Sequence, residues 1–158
     1  MKTILAIASL LFLVTAAWAS PPHGIEVRDA WVREAPPMAK VLAAYLQLHN
    51  HADETRTLVG VESAAFQRVE LHRSRQQDGV ASMAPAAKIV IAAHGKIAFQ
   101  PGGLHIMLIG PVTRLKAGDT VPLELRFADG RSVSISAEVR RGRGKAHHRG
   151  MDMKSHQH

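Results

Sequence analysis

Two histidines and two methionines are the residues of this 158-residue chain best suited to hold a metal: His72, Met83, His105 and Met107. In "GGLHIMLIG" (102–110), Leu104, Ile106 and Leu108 alternate with His105 and Met107. Side chains of a strand alternate between faces, so a core that takes the leucines and isoleucine leaves the imidazole and thioether together on the other side. "RVELHRS" repeats the pattern, with Val69 and Leu71 inward and Glu70 and His72 outward. A turn through "QDG" (77–79) then folds "GVASMAP" back, bringing Met83 toward His72. Thioether sulfur is soft and imidazole borderline, whereas Mg and Ca prefer oxygen ligands and Zn seldom takes Met. Two His and two Met with no thiolate or carboxylate favour Cu(I) in a roughly tetrahedral site. Outward-facing positions leave such an ion open to a partner, which suits transfer better than storage. Taken singly, each residue has a plainer reading: packing or a solvated strand position for the histidines and Met107, gap filling for Met83.

The elements that must position these residues read as strands throughout. "IEVRDAWVRE" (25–34), "VLAAYLQLHN" (41–50), "TRTLVGVESA" (55–64), "FQRVELHRS" (66–74), "GVASMAP" (79–85) and "KIVIAA" (88–93) come first. A short extended piece follows within "HGKIAFQPGG", then "LHIMLIG" (104–110), "VPLELRF" (121–127) and "SVSISAEV" (132–139). The segment 41–50 is rich in Ala and Leu and has helical propensity, but its alternation, though imperfect, favours a strand. Asp129-Gly130 in "ADGR" is a hairpin signal between the last two strands. Short strands recurring every 8–12 residues without an amphipathic helix predict an all-β sandwich or barrel. Trp31, Tyr45, Phe66, Phe99 and Phe127 are expected in its core and Met38 in packing. His49, His51 and His94 read as turn residues, and His23, behind Pro21 and Pro22, is a poor start for an amino-terminal copper site because proline has no amide hydrogen to lose.

Composition bounds the function. Lys2, the apolar run "TILAIASLLFLVTAA" and "AWA" (17–19) form a cleavable secretory leader over 1–19, so the predicted location is the periplasm, with no membrane span after cleavage. Residues 20–139 form one β-sandwich domain by this reading, and 140–158 a flexible tail. The chain has no cysteine, which removes disulfides, thiolate nucleophiles and blue-copper centres. Its net charge of +7 is concentrated at the end, where Arg140, Arg141, Arg143, Lys145, Arg149 and Lys154 stand against Asp152 alone. A basic tail on a near-neutral domain is a poor nucleic-acid footprint. Nucleophile-elbow and paired-carboxylate contexts are absent, so no enzyme activity is expected. In the same tail His147, His148, Met151, Met153, His156 and His158 form a second candidate copper site: the imidazoles suit Cu(II), and the Met-x-Met pair can help with Cu(I). The plain alternative is a solvated polar tail.

The spacing of the first four residues, H-x10-M-x21-H-x-M, resembles the signature of the periplasmic copper chaperone family. "DAWVREAPPMAKVLAAYLQLHN" (29–50), "VELHRSRQQDGVASM" (69–83) and "FQPGGLHIMLIGPVTRLKAGDTVPLELRFADG" (99–130) are similar to its segments, so the resemblance spans residues 25–140. It implies a cupredoxin-like, Ig-like Greek-key β-sandwich binding Cu(I) through His72, Met83, His105 and Met107. It also implies delivery toward the copper centre of a respiratory terminal oxidase, either to the oxidase subunit or with a thiol-bearing copper-insertion protein. Ala81 and Ser82 depart from the pattern where a further Met and a basic residue are expected, which removes a spare ligand and leaves the four intact. A monomer is expected. Two other readings stay open: a copper buffer in which the tail sequesters metal, and an Ig-like interaction module in which the His/Met spacing is coincidental.

Overall fold

Alternating burial builds ten strands, and the described residues contain no α-helix. The computed structural model describes residues 24–77 and 79–142. Its strands are β1 (Ile25–Arg33), β2 (Val41–Asn50), β3 (Arg56–Glu62), β4 (Phe66–Gln77), β5 (Val80–Pro85), β6 (Ile89–Ile91), β7 (Lys96–Phe99), β8 (Leu104–Pro111), β9 (Thr120–Phe127) and β10 (Ser132–Arg140). They hydrogen-bond in the order β5-β4-β8-β7-β2-β1-β10-β9-β3-β6, and β8 also pairs directly with β2. The parallel pair β1–β10, with Val32 beside Val139, joins the two halves of this ladder. The ladder folds over itself as a β-sandwich. Leu46, Leu48, Ile106 and Leu108 from one half share a single core with Leu58, Val121 and Leu125 from the other, all 2% exposed or less.

The Ala- and Leu-rich segment 41–50 is a strand, and a central one. It pairs with β1 on one side and with β7 and β8 on the other. Ladder bonds along both edges and a buried even-numbered face outweigh its local helical preference. The Asp129-Gly130 turn closes the β9–β10 hairpin, and Gly130 takes the positive φ of 81° such a turn needs.

The aromatic assignments divide. Phe66, Phe99 and Phe127 join the core, but Trp31 and Tyr45 do not. These two are cross-strand partners on the outer face of β1 and β2, with ring centroids 4.8 Å apart. Tyr45 is buried there all the same, because Trp31 and its neighbours hide it from water. Met38 is 89% exposed rather than packed, since it sits in the turn between β1 and β2. His94 is a turn residue as expected, with a φ of 54°. His49, by contrast, lies inside β2 opposite Glu26, and only His51 falls beyond the strand's end. The expected leader (1–19) and the tail residues His147, His148, Met151, Met153, His156 and His158 lie outside the described residues. Among the described residues no helix is long and apolar enough to cross a membrane.

Candidate metal centre

β8 lies between β4 and β2, and this position brings the chemistry together. Leu104, Ile106 and Leu108 enter the core, so His105 and Met107 occupy the outer face. Across the β4–β8 pair, His72 stands directly opposite His105, and Glu70 opposite Met107. The two imidazole centroids are 5.9 Å apart and the rings tilted by 41°. β5 returns antiparallel to β4 with Met83 opposite Ser74, two residues along from His72 and on the same face. Gly79 in the connecting turn has a φ of 78°, which favours glycine. On the other flank, Ala43 of β2 is the partner of Met107.

Each histidine is held by one ring nitrogen, leaving the other for a metal. The Nε2–H of His72 donates to Glu70 Oε2 at 2.8 Å. The same bond holds the Glu70 carboxyl below its usual range, so it remains an acceptor, and Arg68 Nε supports it from 2.7 Å. His72 Nδ1 therefore carries a lone pair, and it is buried without a hydrogen-bond partner among the described residues. His105 is fixed in the opposite sense: its Nδ1–H donates to Gly103 O at 3.1 Å, freeing Nε2. That carbonyl also accepts from Ser74 N at 3.0 Å, which ties the turn before β8 to β4. The turn depends on Gly102, whose φ is 81°. Metal-binding histidines characteristically donate their second N–H to a carboxylate or a backbone carbonyl, and both kinds of support occur here. Glu70 was not singled out from the sequence; its one signal was a position two residues before His72 on the same strand face.

Met83, His105 and Met107 line one cleft of about 280 Å³ together with Arg33, Pro36 and Tyr45. The outward orientation expected from alternation is correct, but full exposure is not. His72 and His105 are only 9% and 7% exposed, whereas Met107 is half-buried and Met83 is 55% exposed. The segment Arg33–Pro36 at the end of β1 lines the cleft with His105, whereas His72 is buried in the β4–β8 pair beside it and is not among the residues that line it. The two imidazoles are buried and the two thioethers more exposed, a soft-to-borderline choice of donors.

The chain matches the LpqE-like family over residues 25–139. It is 32% identical over 118 residues to protein Lxx21020 of Leifsonia xyli subsp. xyli (strain CTCB07), spanning 74% of this chain and 70% of that one. The fold is similar to apo-DR1885 of Deinococcus radiodurans, with a TM-score of 0.61 at 29% identity over 90% of this chain and 95% of that one. The Cu(I) form of DR1885 gives 0.60 at 29% identity, covering 80% and 84%. A copper-bound PCuAC domain from PmoF2 gives 0.65 at 23% identity, covering 79% and 97%, and at that identity it bears on the fold alone. The family match takes in every strand of the sandwich up to Val139, including all four candidate ligands, and on this ground the chain belongs to the LpqE-like lipoprotein family.

Proposed function

We propose that the protein is a copper chaperone that binds Cu(I) through His72, Met83, His105 and Met107 in the periplasm and passes it on. One observation carries this reading: the cross-strand His72–His105 pair, in which His72 Nδ1 is buried and unpartnered and His105 lines a cleft with both thioethers. A buried polar nitrogen without a partner costs about 1–3 kcal/mol, and a metal bond would remove that cost. The Cu(I) form of the Deinococcus relative supports the choice of ion, and the apolar leader sequence supports the location.

The direction of transfer follows from ligand chemistry. Two imidazoles and two thioethers are all neutral, so the bound ion keeps its positive charge. A thiolate recipient neutralises that charge and is the softer donor, which makes transfer to it downhill. A thiol-bearing copper-insertion protein meets that description, and the copper-receiving subunit of a terminal oxidase is the alternative recipient. Met83, the most exposed of the four, is the ligand such a recipient would reach first.

Cu(I) titration against a chelator, under reducing conditions, tests the site. His105→Ala and Met107→Ala are each expected to keep the fold and lose about 100-fold in affinity, equivalent to about 2.7 kcal/mol. Unchanged affinity in both variants would rule the site out.

A further inference from the structure

A second cluster of donors lies at the far end of β2. Glu26 of β1 and His49 of β2 are direct cross-strand partners, so their side chains share a face. His51 follows two residues later and turns its ring alongside His49, with centroids 6.2 Å apart and an interplanar angle of 24°. One nitrogen from each ring and one Glu26 oxygen all lie within 4.8 Å of one another. Ligands around a tetrahedral Zn at about 2.0–2.1 Å sit about 3.4 Å apart, so small side-chain rotations close the set.

We propose that Glu26, His49 and His51 form a metal site for a borderline divalent cation, with Cu(II) bound in preference to Zn(II). A surface ion pair accounts for part of the arrangement, since His51 Nε2 meets Glu26 Oε2 at 2.8 Å and Arg28 Nε holds Oε1 at 2.6 Å. It leaves His49 unexplained. His49 Nε2 is buried and has no hydrogen-bond partner among the described residues, although a carboxylate and a second imidazole stand beside it. An ion taken by His49 through Nε2 would satisfy that nitrogen, and the exposed His51 leaves a route for its entry.

The backbone beneath the cluster is fixed. His51 N donates to Gly24 O at 2.7 Å, which ties the end of β2 to the start of β1. Between the two histidines, buried Asn50 donates through Nδ2 to Glu54 O at 2.7 Å and Ala92 O at 2.9 Å, while its Oδ1 accepts from Ala52 N at 3.1 Å. Two imidazoles and a carboxylate contain no sulfur, so they suit Cu(II), Ni(II) and Zn(II) rather than Cu(I), and Cu(II) stands highest in the affinity order. Three protein ligands leave an open coordination position for water. Ala43, the partner of Met107, and His49 lie six residues apart on the same face of β2, a span of about 20 Å. The two centres are therefore separate and select different oxidation states of the same element.

Amide NMR of the full-length, 15N-labelled protein tests this, with Cu(II) added to three equivalents so that other Cu(II)-binding groups are also filled. The expected result is paramagnetic loss of the amide signals around Glu26 and from Leu48 to Ala52. In His49→Ala and His51→Ala those signals should persist, with local affinity reduced at least about tenfold and Cu(I) binding at His72 and His105 unchanged. His51 is exposed, so its variant gives the answer even where His49→Ala perturbs the strand. Survival of the signals in the wild type, or equal loss in wild type and variants, would overturn the proposal. Cu(I) binding is read separately in the same samples, so failure here and failure of the chaperone reading are distinguishable.

Discussion

The tautomers of His72 and His105 are set by unlike partners, a carboxylate in one case and a backbone carbonyl in the other. Glu70 raises the electron density of His72 through the shared proton, whereas the Gly103 carbonyl mainly fixes the orientation of the His105 ring. A substitution at Glu70 therefore tests the electronic part alone. Glu70→Gln is expected to lower Cu(I) affinity about tenfold, the usual effect of losing an outer partner of a metal-binding histidine. The ring 15N shifts of His72 should report a weakened Nε2–H preference, a readout that a merely structural role for Glu70 would not move. Unaltered shifts together with unaltered affinity would remove Glu70 from the site. At this scale the sequence carried the residue types and their faces, because alternation on a strand is rigid geometry. It did not reveal which ring nitrogen was free, since that depends on groups from another residue or another turn.

β8 and β5 deliver their ligands with different rigidity. β8 is paired on both sides, and Ile106 and Leu108 are fully buried, so His105 and Met107 are carried on a fixed rail. β5 is an edge strand paired only with β4, and all six of its residues are exposed. Little apolar burial holds it down, which makes it the element most ready to move when an ion enters or leaves. Ordering Met83 costs part of what its sulfur contributes, so Met83→Ala should reduce Cu(I) affinity less than His105→Ala does. The same variant should speed metal release, measured by stopped-flow transfer to a chelator. An affinity loss larger than that of His105→Ala would show that β5 is as rigid as β8. The return of β5 onto β4 was legible in its turn residues, but the near-complete burial of the two histidines was not. Alternation assigns a side chain to a face; whether that face is covered depends on distant segments such as Arg33–Pro36.

For the molecule as a whole, the question is how copper is divided between the sandwich and the residues beyond it. Among the described residues the ten strands end by Arg140 and share one core. Removing residues 143–158 should therefore leave the fold and one tight Cu(I) equivalent intact, while any weaker capacity due to His147, His148, Met151, Met153, His156 and His158 disappears. Equilibrium dialysis with copper analysis checks the stoichiometry. Loss of the tight equivalent on truncation would favour a buffer centred on the tail over a carrier centred on the sandwich.

The sequence by itself determined the all-β class, the inward and outward sets on β4 and β8, the β9–β10 hairpin and the soft character of the four-residue set. Each of these follows from nearest-neighbour geometry or from the chemistry of a side chain taken alone. Only the tertiary structure decided that His72 faces His105, that Glu70 and Gly103 hold them, that Trp31 and Tyr45 lie outside the core, and that Glu26 meets His49 and His51. Those facts depend on strand order and register, which are set by how residues far apart in the chain bury their apolar faces together, and no local pattern contains that information.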